Sequence, residues 1–522
     1  MQDVVATTRY GKVRGVSEGE VRVWRGVRYA RAPHGELRFR APQPLEPWAG
    51  IKDATQFGPA SPQAELRIPG LFAFPSESIG EDCLSLNIYA PAADGKKRPV
   101  MFWIHGGAFL LGSGAPYKGG GFVRNGDVVV VTINYRLGPL GFLALKDVSP
   151  HAEAFDTNVG LRDQIAALQW VKENIAEFGG DPERVTVFGE SAGGSSITCL
   201  LGVPSAAGLF GRAIVESAPP DLMYDRQTAA DAARRYLRFV GVSPDNLAPL
   251  LMMPLKQLIG VVRRFSSDVY KTLPGNMAFQ PVIGDDLMPR HPLTAVAEGS
   301  ATNVPLIIGS NHDETALFIA SKPPIVPITP KLVHHLFERT APGKEAGVVA
   351  AYPDYPRKKA LIALTTDSMY RVPAIRIAEA QSAYAPTWMY RFDWTSWPLR
   401  ASGFGACHAL ELLFVFDAFS SPVGRLATAL PSRRQVRSLA RRMQRAWINF
   451  AVTGDPNGAD SAPWASYDAQ SRVTMLFNTK DSVVRDPEAH QRKVWEGVEM
   501  GQALTDDATL TPTLTMDMGP AA

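Results

Sequence analysis

Cysteine is nearly absent from this chain: 522 residues contain three, Cys83, Cys199 and Cys407. They lie far apart and show no C-x-x-C spacing, so neither a disulfide scaffold nor a zinc site is expected to organise the fold. Neither sign of charge dominates, with 54 Lys and Arg against 51 Asp and Glu and a net charge of +3. That balance offers no argument for a nucleic-acid partner. Long apolar runs are also missing. Residues 100–117 lack Lys and Arg, but they hold His105-Gly106-Gly107 and two further glycines. The stretch therefore reads as a buried strand followed by a glycine-rich loop, not as a membrane span. The first residues, Met1-Gln2-Asp3-Val4-Val5, show no basic region leading into an apolar run and do not read as a signal peptide. A cytoplasmic protein without a membrane partner is the expectation.

The composition, 45% hydrophobic and 20% charged, is that of a globular chain able to bury a large core. At roughly 150 residues per domain the length would suggest about three domains. No internal repeat or strong linker marks such a division, so residues 1–500 read as one domain. Residues 501–522, rich in Thr and without periodicity, read as a loosely held tail. Residues 100–104 and 128–133 are apolar without alternation, as strands covered on both faces must be. Shorter strands are expected at 4–10, 21–27, 184–188, 304–308 and 387–392. Between them, Leu161, Ile165, Leu168, Ile175 and Phe178 fall on one face of a helix over 161–178. Gly179-Gly180 ends that helix and Asp181-Pro182 breaks the chain. Apolar strands alternating with helices predict an α/β fold with a mostly parallel central sheet. Residues 225–300 and 320–385 read as helical, cap-like insertions.

One motif has a mechanical meaning. Gly189-Glu190-Ser191-Ala192-Gly193 is a G-x-S-x-G placed between a strand and a helix. The reversal holds the serine hydroxyl above the sheet, and the helix start points N–H groups at developing negative charge. Alone, such a motif is also what a tight glycine turn looks like. A second glycine-rich turn, His105-Gly106-Gly107-Ala108-Phe109, follows the strand at 100–104. Free N–H groups of Gly106, Gly107 and Ala192 would make an oxyanion hole. Together the two motifs point to a serine hydrolase.

At this point the chain resembles a family, the type-B carboxylesterases of the α/β-hydrolase fold. Glu81-Asp82-Cys83-Leu84-Ser85-Leu86-Asn87, Asn134-Tyr135-Arg136-Leu137-Gly138, Asn158-Val159-Gly160-Leu161-Arg162-Asp163-Gln164 and Phe188-Gly189-Glu190-Ser191-Ala192-Gly193-Gly194 are similar to its ordered blocks. Phe450-Ala451-Val452-Thr453-Gly454-Asp455-Pro456-Asn457 and Trp464 match another near the C-terminus. The resemblance implies a carboxylic-ester hydrolase acting on a small-molecule ester through an acyl-enzyme, with no cofactor and no metal. Lipase, amide or carbamate hydrolysis by the same machinery is the alternative, and a non-catalytic binding protein on this fold is the reading from another class. It also implies the rest of a triad. Gly405-Ala406-Cys407-His408-Ala409-Leu410-Glu411 is similar to the segment that carries the base, which makes His408 the base. In Ser310-Asn311-His312-Asp313-Glu314 the matching acid is Glu314, with Asp313 the neighbour to weigh against it. Ser217 matches a serine expected just behind the site.

The departures are few. The family usually has glycine where Thr315 and Ala409 stand, and secreted relatives pair the equivalent of Cys83 with a cysteine near the position of Ser61. Without that pair the loop 61–81 is unstapled, which fits a reducing compartment. Phe109, Phe279, Phe318, Tyr370 and Phe404 are candidates to line a pocket, although aromatics at such spacing are more often core. An ordinary histidine titrates near pH 6.5. The acid pushes that value up and burial pushes it down, so the activity limb is expected within about one unit of it.

Overall fold

A computed structural model describes residues 3–64, 78–149, 152–272, 276–320, 326, 329–428, 433–458 and 462–498. The expected tail, 501–522, and most of the loop 61–81 lie outside the described residues. Thirteen strands form one sheet among those described. They are β1 (Asp3–Thr8), β2 (Gly11–Glu18), β3 (Val21–Arg28), β4 (Ile51–Asp53), β5 (Ser85–Ala90), β6 (Arg98–Ile104) and β7 (Val129–Ile133). The rest are β8 (Gly180–Glu190), β9 (Arg212–Glu216), β10 (Leu306–Asn311), β11 (Thr387–Phe392), β12 (Val473–Phe477) and β13 (Ser482–Arg485). The order is β1-β2-β3-β5-β7-β6-β8-β9-β10-β11-β12-β13, with β4 beside β2. From β7 to β12 every neighbour is parallel, while β1, β2, β3, β5 and β13 pair antiparallel along this path.

Alternation sends successive residues of the central strands into opposite layers. On β6, Val100, Phe102 and Ile104 enter one core while Met101 and Trp103 enter the other. Ile308 and Ile307 of β10 divide in the same way. The first layer is closed by the helices Val159–Asn174 and Ala192–Gly202, the second by the helix Arg433–Thr453 through Leu439, Met443, Trp447 and Phe450. No helix among the described residues is long and apolar enough to cross a membrane.

Two local expectations need correction. The helix predicted over 161–178 runs as Val159–Asn174 and tightens into a 3-10 turn at Ile175–Phe178, ended by Gly179 at φ 87°. Asp181-Pro182 does not break the chain between elements. β8 begins at Gly180, opposite Arg98, and resumes its ladder at Val185, opposite Val100. The proline sits in that excursion, where no ladder N–H is asked of it.

Candidate active site

The turn after β8 is shaped by what glycine lacks. A Cβ on Gly193 would stand 2.0 Å from the Ile104 carbonyl oxygen, and one on Gly189 would stand 2.6 Å from the same atom. Only bare backbone lets the helix Ala192–Gly202, buried along its whole length, start so close to β6. Ser191 takes up the reversal at φ 57°, ψ −124°, a sparsely populated conformation that costs about 1–3 kcal/mol. Its own N–H is held by the Glu216 carbonyl oxygen at 3.0 Å.

The glycine-rich loop lies against this serine. A Cβ on Gly106 would be 2.9 Å from Ser191 Cβ, and Gly107 adopts φ 111°. Among the described residues, the N–H groups of Gly106, Gly107 and Ala192 donate no backbone hydrogen bond. The loop is held from behind. Tyr135 Oη donates to the His105 carbonyl oxygen at 2.7 Å, and the two rings stack at 4.5 Å. Burial pushes the His105 imidazole down to about 4, so it is neutral. Tyr135 belongs to the same sequence block as Arg136, whose buried guanidinium pairs with Asp163 at 2.6 Å.

His408 is buried, and its Nδ1 lies 2.6 Å from Glu314 Oε2. The other oxygen of Glu314 accepts the Asn311 N–H at 2.7 Å. Asp313 does not touch the imidazole: its Oδ1 faces His312 Nδ1 at 3.0 Å and its Oδ2 accepts the Ala406 N–H at 2.9 Å. The Ser191 hydroxyl has no hydrogen-bond partner among the described residues. The free ring nitrogen of His408, Nε2, instead faces Glu190 Oε1 at 3.1 Å.

Glu190 was not singled out from the sequence, although it sits inside the G-x-S-x-G. It is one of four buried glutamates here, with Glu216, Glu314 and Glu411. Burial raises the Glu190 carboxyl to about 8 and the Glu216 carboxyl well above its ordinary range. Ser217 lies behind the site as expected, donating to Glu411 Oε1 at 2.6 Å, and Glu411 is also raised by burial. For His408, burial is the largest single influence and pushes downward. Glu190, Glu314 and the Glu314 hydrogen bond together outweigh it and hold the imidazole up, at about 9. The ordering of these opposing effects, left open by the sequence, therefore places the histidine above the range expected around 6.5.

Glu190→Gln keeps the shape of the side chain and removes one of the charges favouring the imidazolium. The acid limb of kcat/KM should consequently move to lower pH in this variant. A profile on a neutral ester from pH 5 to 10, unmoved or shifted upward, would contradict this account.

Of the five candidate pocket aromatics, Phe318 and Tyr370 pack on His408, at 5.1 and 5.2 Å between ring centroids. Tyr370 reaches it from a π-helical turn, Asp367–Arg371. Phe109 packs on Phe142, and Phe279 belongs to a helical core with Tyr236 and Phe265. Phe404 packs at the edge of the second core. The departures are accommodated too. Thr315 is buried and donates to the Ile362 carbonyl oxygen at 3.1 Å, while Ala409 carries φ 64°, the conformation glycine would adopt freely. Ser61 Oγ accepts the Leu137 N–H at 3.1 Å, and all three cysteines are free.

Three comparisons with known proteins agree on what this chain is similar to. The sequence model of the carboxylesterase family matches residues 2–495. The chain belongs to the carboxylesterase family. It is 40% identical to a para-nitrobenzyl esterase of Bacillus subtilis over 499 residues, covering 94% of this chain and 98% of that one. It is 33% identical to a phenmedipham hydrolase of Pseudarthrobacter oxydans, covering 92% and 97%. Among solved structures, a thermophilic para-nitrobenzyl esterase superimposes with a TM-score of 0.85 at 37% identity, covering 94% of this chain and 99% of the other. This esterase therefore has the α/β-hydrolase fold and is a serine carboxylesterase, hydrolysing carboxylic esters.

Proposed function

We propose that Ser191 is the nucleophile of this carboxylesterase, His408 its general base and Glu314 the carboxylate that orients the imidazole. The observation that carries this reading is the buried 2.6 Å contact between His408 Nδ1 and Glu314 Oε2, on an imidazole whose Nε2 faces Glu190, the residue before the strained serine. With Nδ1 fixed by the acid, Nε2 is the nitrogen left to take the serine proton. Ser191 Oγ attacks the ester carbonyl carbon as His408 takes its proton. The tetrahedral oxyanion is held by the N–H groups of Gly106, Gly107 and Ala192. His408 returns the proton to the leaving alkoxide, and the alcohol departs. Water, deprotonated by the same imidazole, then attacks the acyl-enzyme, and the carboxylic acid is released with the serine restored.

The substrate is a small-molecule ester. The names of two relatives make para-nitrobenzyl esters the first to test. A rate screen over acyl and alcohol series, begun with those esters, tests the reading. Absence of turnover on every ester would overturn it. Residues 1–500 act as a single hydrolase domain, supported by one sheet that runs from Asp3 to Arg485. The three free cysteines support a cytoplasmic location.

A further inference from the structure

Acid and base come from separate parts of the chain, yet the two segments meet along their length. His408 N–H donates to the Glu314 carbonyl oxygen at 3.2 Å, and Asp313 N–H donates to the Ala406 carbonyl oxygen at 2.9 Å. Asn311 Nδ2 donates to the Cys407 carbonyl oxygen at 2.8 Å. A second side chain completes this seam: Asp313, whose Oδ2 accepts the Ala406 N–H at 2.9 Å. Asp313 and Ala406 are thus joined by two bonds, one residue before the acid and two before the base. The fit is close. Gly405 has φ 58°, and a Cβ there would stand 2.2 Å from Asp313 Oδ2.

We propose that Asp313 is a positioning residue for ester hydrolysis, fastening the loop that carries His408 to the end of β10 so that base and acid keep their alignment. The proposal rests on the assignment of Ser191, His408 and Glu314 given above. The carboxylate bonds neither the His408 imidazole nor Ser191 and acts through the 405–408 turn. Its other oxygen is engaged by His312 Nδ1 at 3.0 Å, which fixes the rotamer that reaches Ala406. A seam of this kind matters to turnover because displacing a reacting group by about 1 Å can cost about 100-fold. It matters little to substrate binding, since Asp313 supplies no surface to the ester.

The test is steady-state kinetics of the full chain on a chromogenic ester, with the folded state checked by circular dichroism. Asp313→Ala should lower kcat by about 10- to 100-fold, with KM little changed. Asp313→Asn should recover most of that loss, because its amide oxygen can still accept the Ala406 N–H. Gly405→Ala, which drives a methyl group against the carboxylate, should behave like Asp313→Ala. If Asp313→Ala does not fold, Gly405→Ala decides by the same kcat criterion. Wild-type kcat in the alanine variant, a loss confined to KM, or an asparagine variant as slow as the alanine one would overturn the proposal. His408→Ala, run alongside, separates the two layers. If it is inactive while Asp313→Ala is normal, only the fastening fails; if it turns over like the wild type, the assignment of the base fails as well.

Discussion

Replacing Ser191 by alanine is expected to remove ester hydrolysis, lowering kcat by about four orders of magnitude or more while the fold persists. The hydroxyl is the only atom lost, and it makes no hydrogen bond that the structure needs. The backbone strain at φ 57° remains with alanine, so thermal stability should stay close to that of the parent. What remains is the glycine loop and the binding surface, which stabilise an oxyanion but supply no attacking atom. Measured with an active-site titrant, the variant should also show no burst of alcohol. Turnover near the wild-type rate would remove the nucleophile from this account and with it the acyl-enzyme.

The second large effect is expected at Glu314. Glu314→Gln keeps the length of the side chain and an oxygen for the Asn311 N–H, but it presents no charge to the imidazole. The amide can also turn its NH2 toward Nδ1, which favours the tautomer that puts the proton on Nε2, the nitrogen that must accept. A loss of about 1,000- to 10,000-fold in kcat follows from that change in a buried triad. Asp313→Asn should cost far less, because Asp313 bonds the Ala406 N–H and not His408. Kinetics of the two variants on one ester at a fixed pH above 8 make the comparison. The reverse ranking would move the acid by one residue.

Much of this was legible in the chain. Unbroken apolar runs marked β6 and β7 because a strand covered on both faces has no polar side to show. Glycines 189 and 193 marked the elbow because a close helix–strand approach admits nothing larger. Glu314 and His408 were legible through resemblance to a family, since neither has a local pattern that announces a triad. The rest depends on side-chain direction across long separations. Glu190 facing His408, or Asn311 reaching Cys407, follows from how β8, β10 and the 405–411 turn meet, which no periodicity encodes. The proline at 182 misled because a proline inside an irregular strand and one between two elements look alike in sequence. The balance of burial against charge at His408 was likewise hidden until the number of nearby carboxylates was known.

Two buried groups at the site, Glu190 and His408, tie the enzyme's durability to the proton activity of its surroundings. Burial raises Glu190 from 4.5 to about 8, so over that interval the folded chain keeps a proton that the unfolded chain has already released. His408, raised from 6.5 to about 9 by its carboxylate neighbours, retains its proton in the same sense. A fold that holds more protons than its unfolded form loses stability as the pH rises through the window between the two values. The Glu190 contribution is fully present below about pH 4.5 and gone above about 8, and that of His408 fades between 6.5 and about 9. Catalysis runs the other way, since only the neutral imidazole can take the serine proton. Melting temperature should thus fall across the same alkaline interval in which turnover climbs, and scanning calorimetry from pH 6 to 9 reads that opposition directly. Mild alkali that wakes the base also withdraws support from the core around it, so the conditions for fastest hydrolysis and for longest survival are different ones.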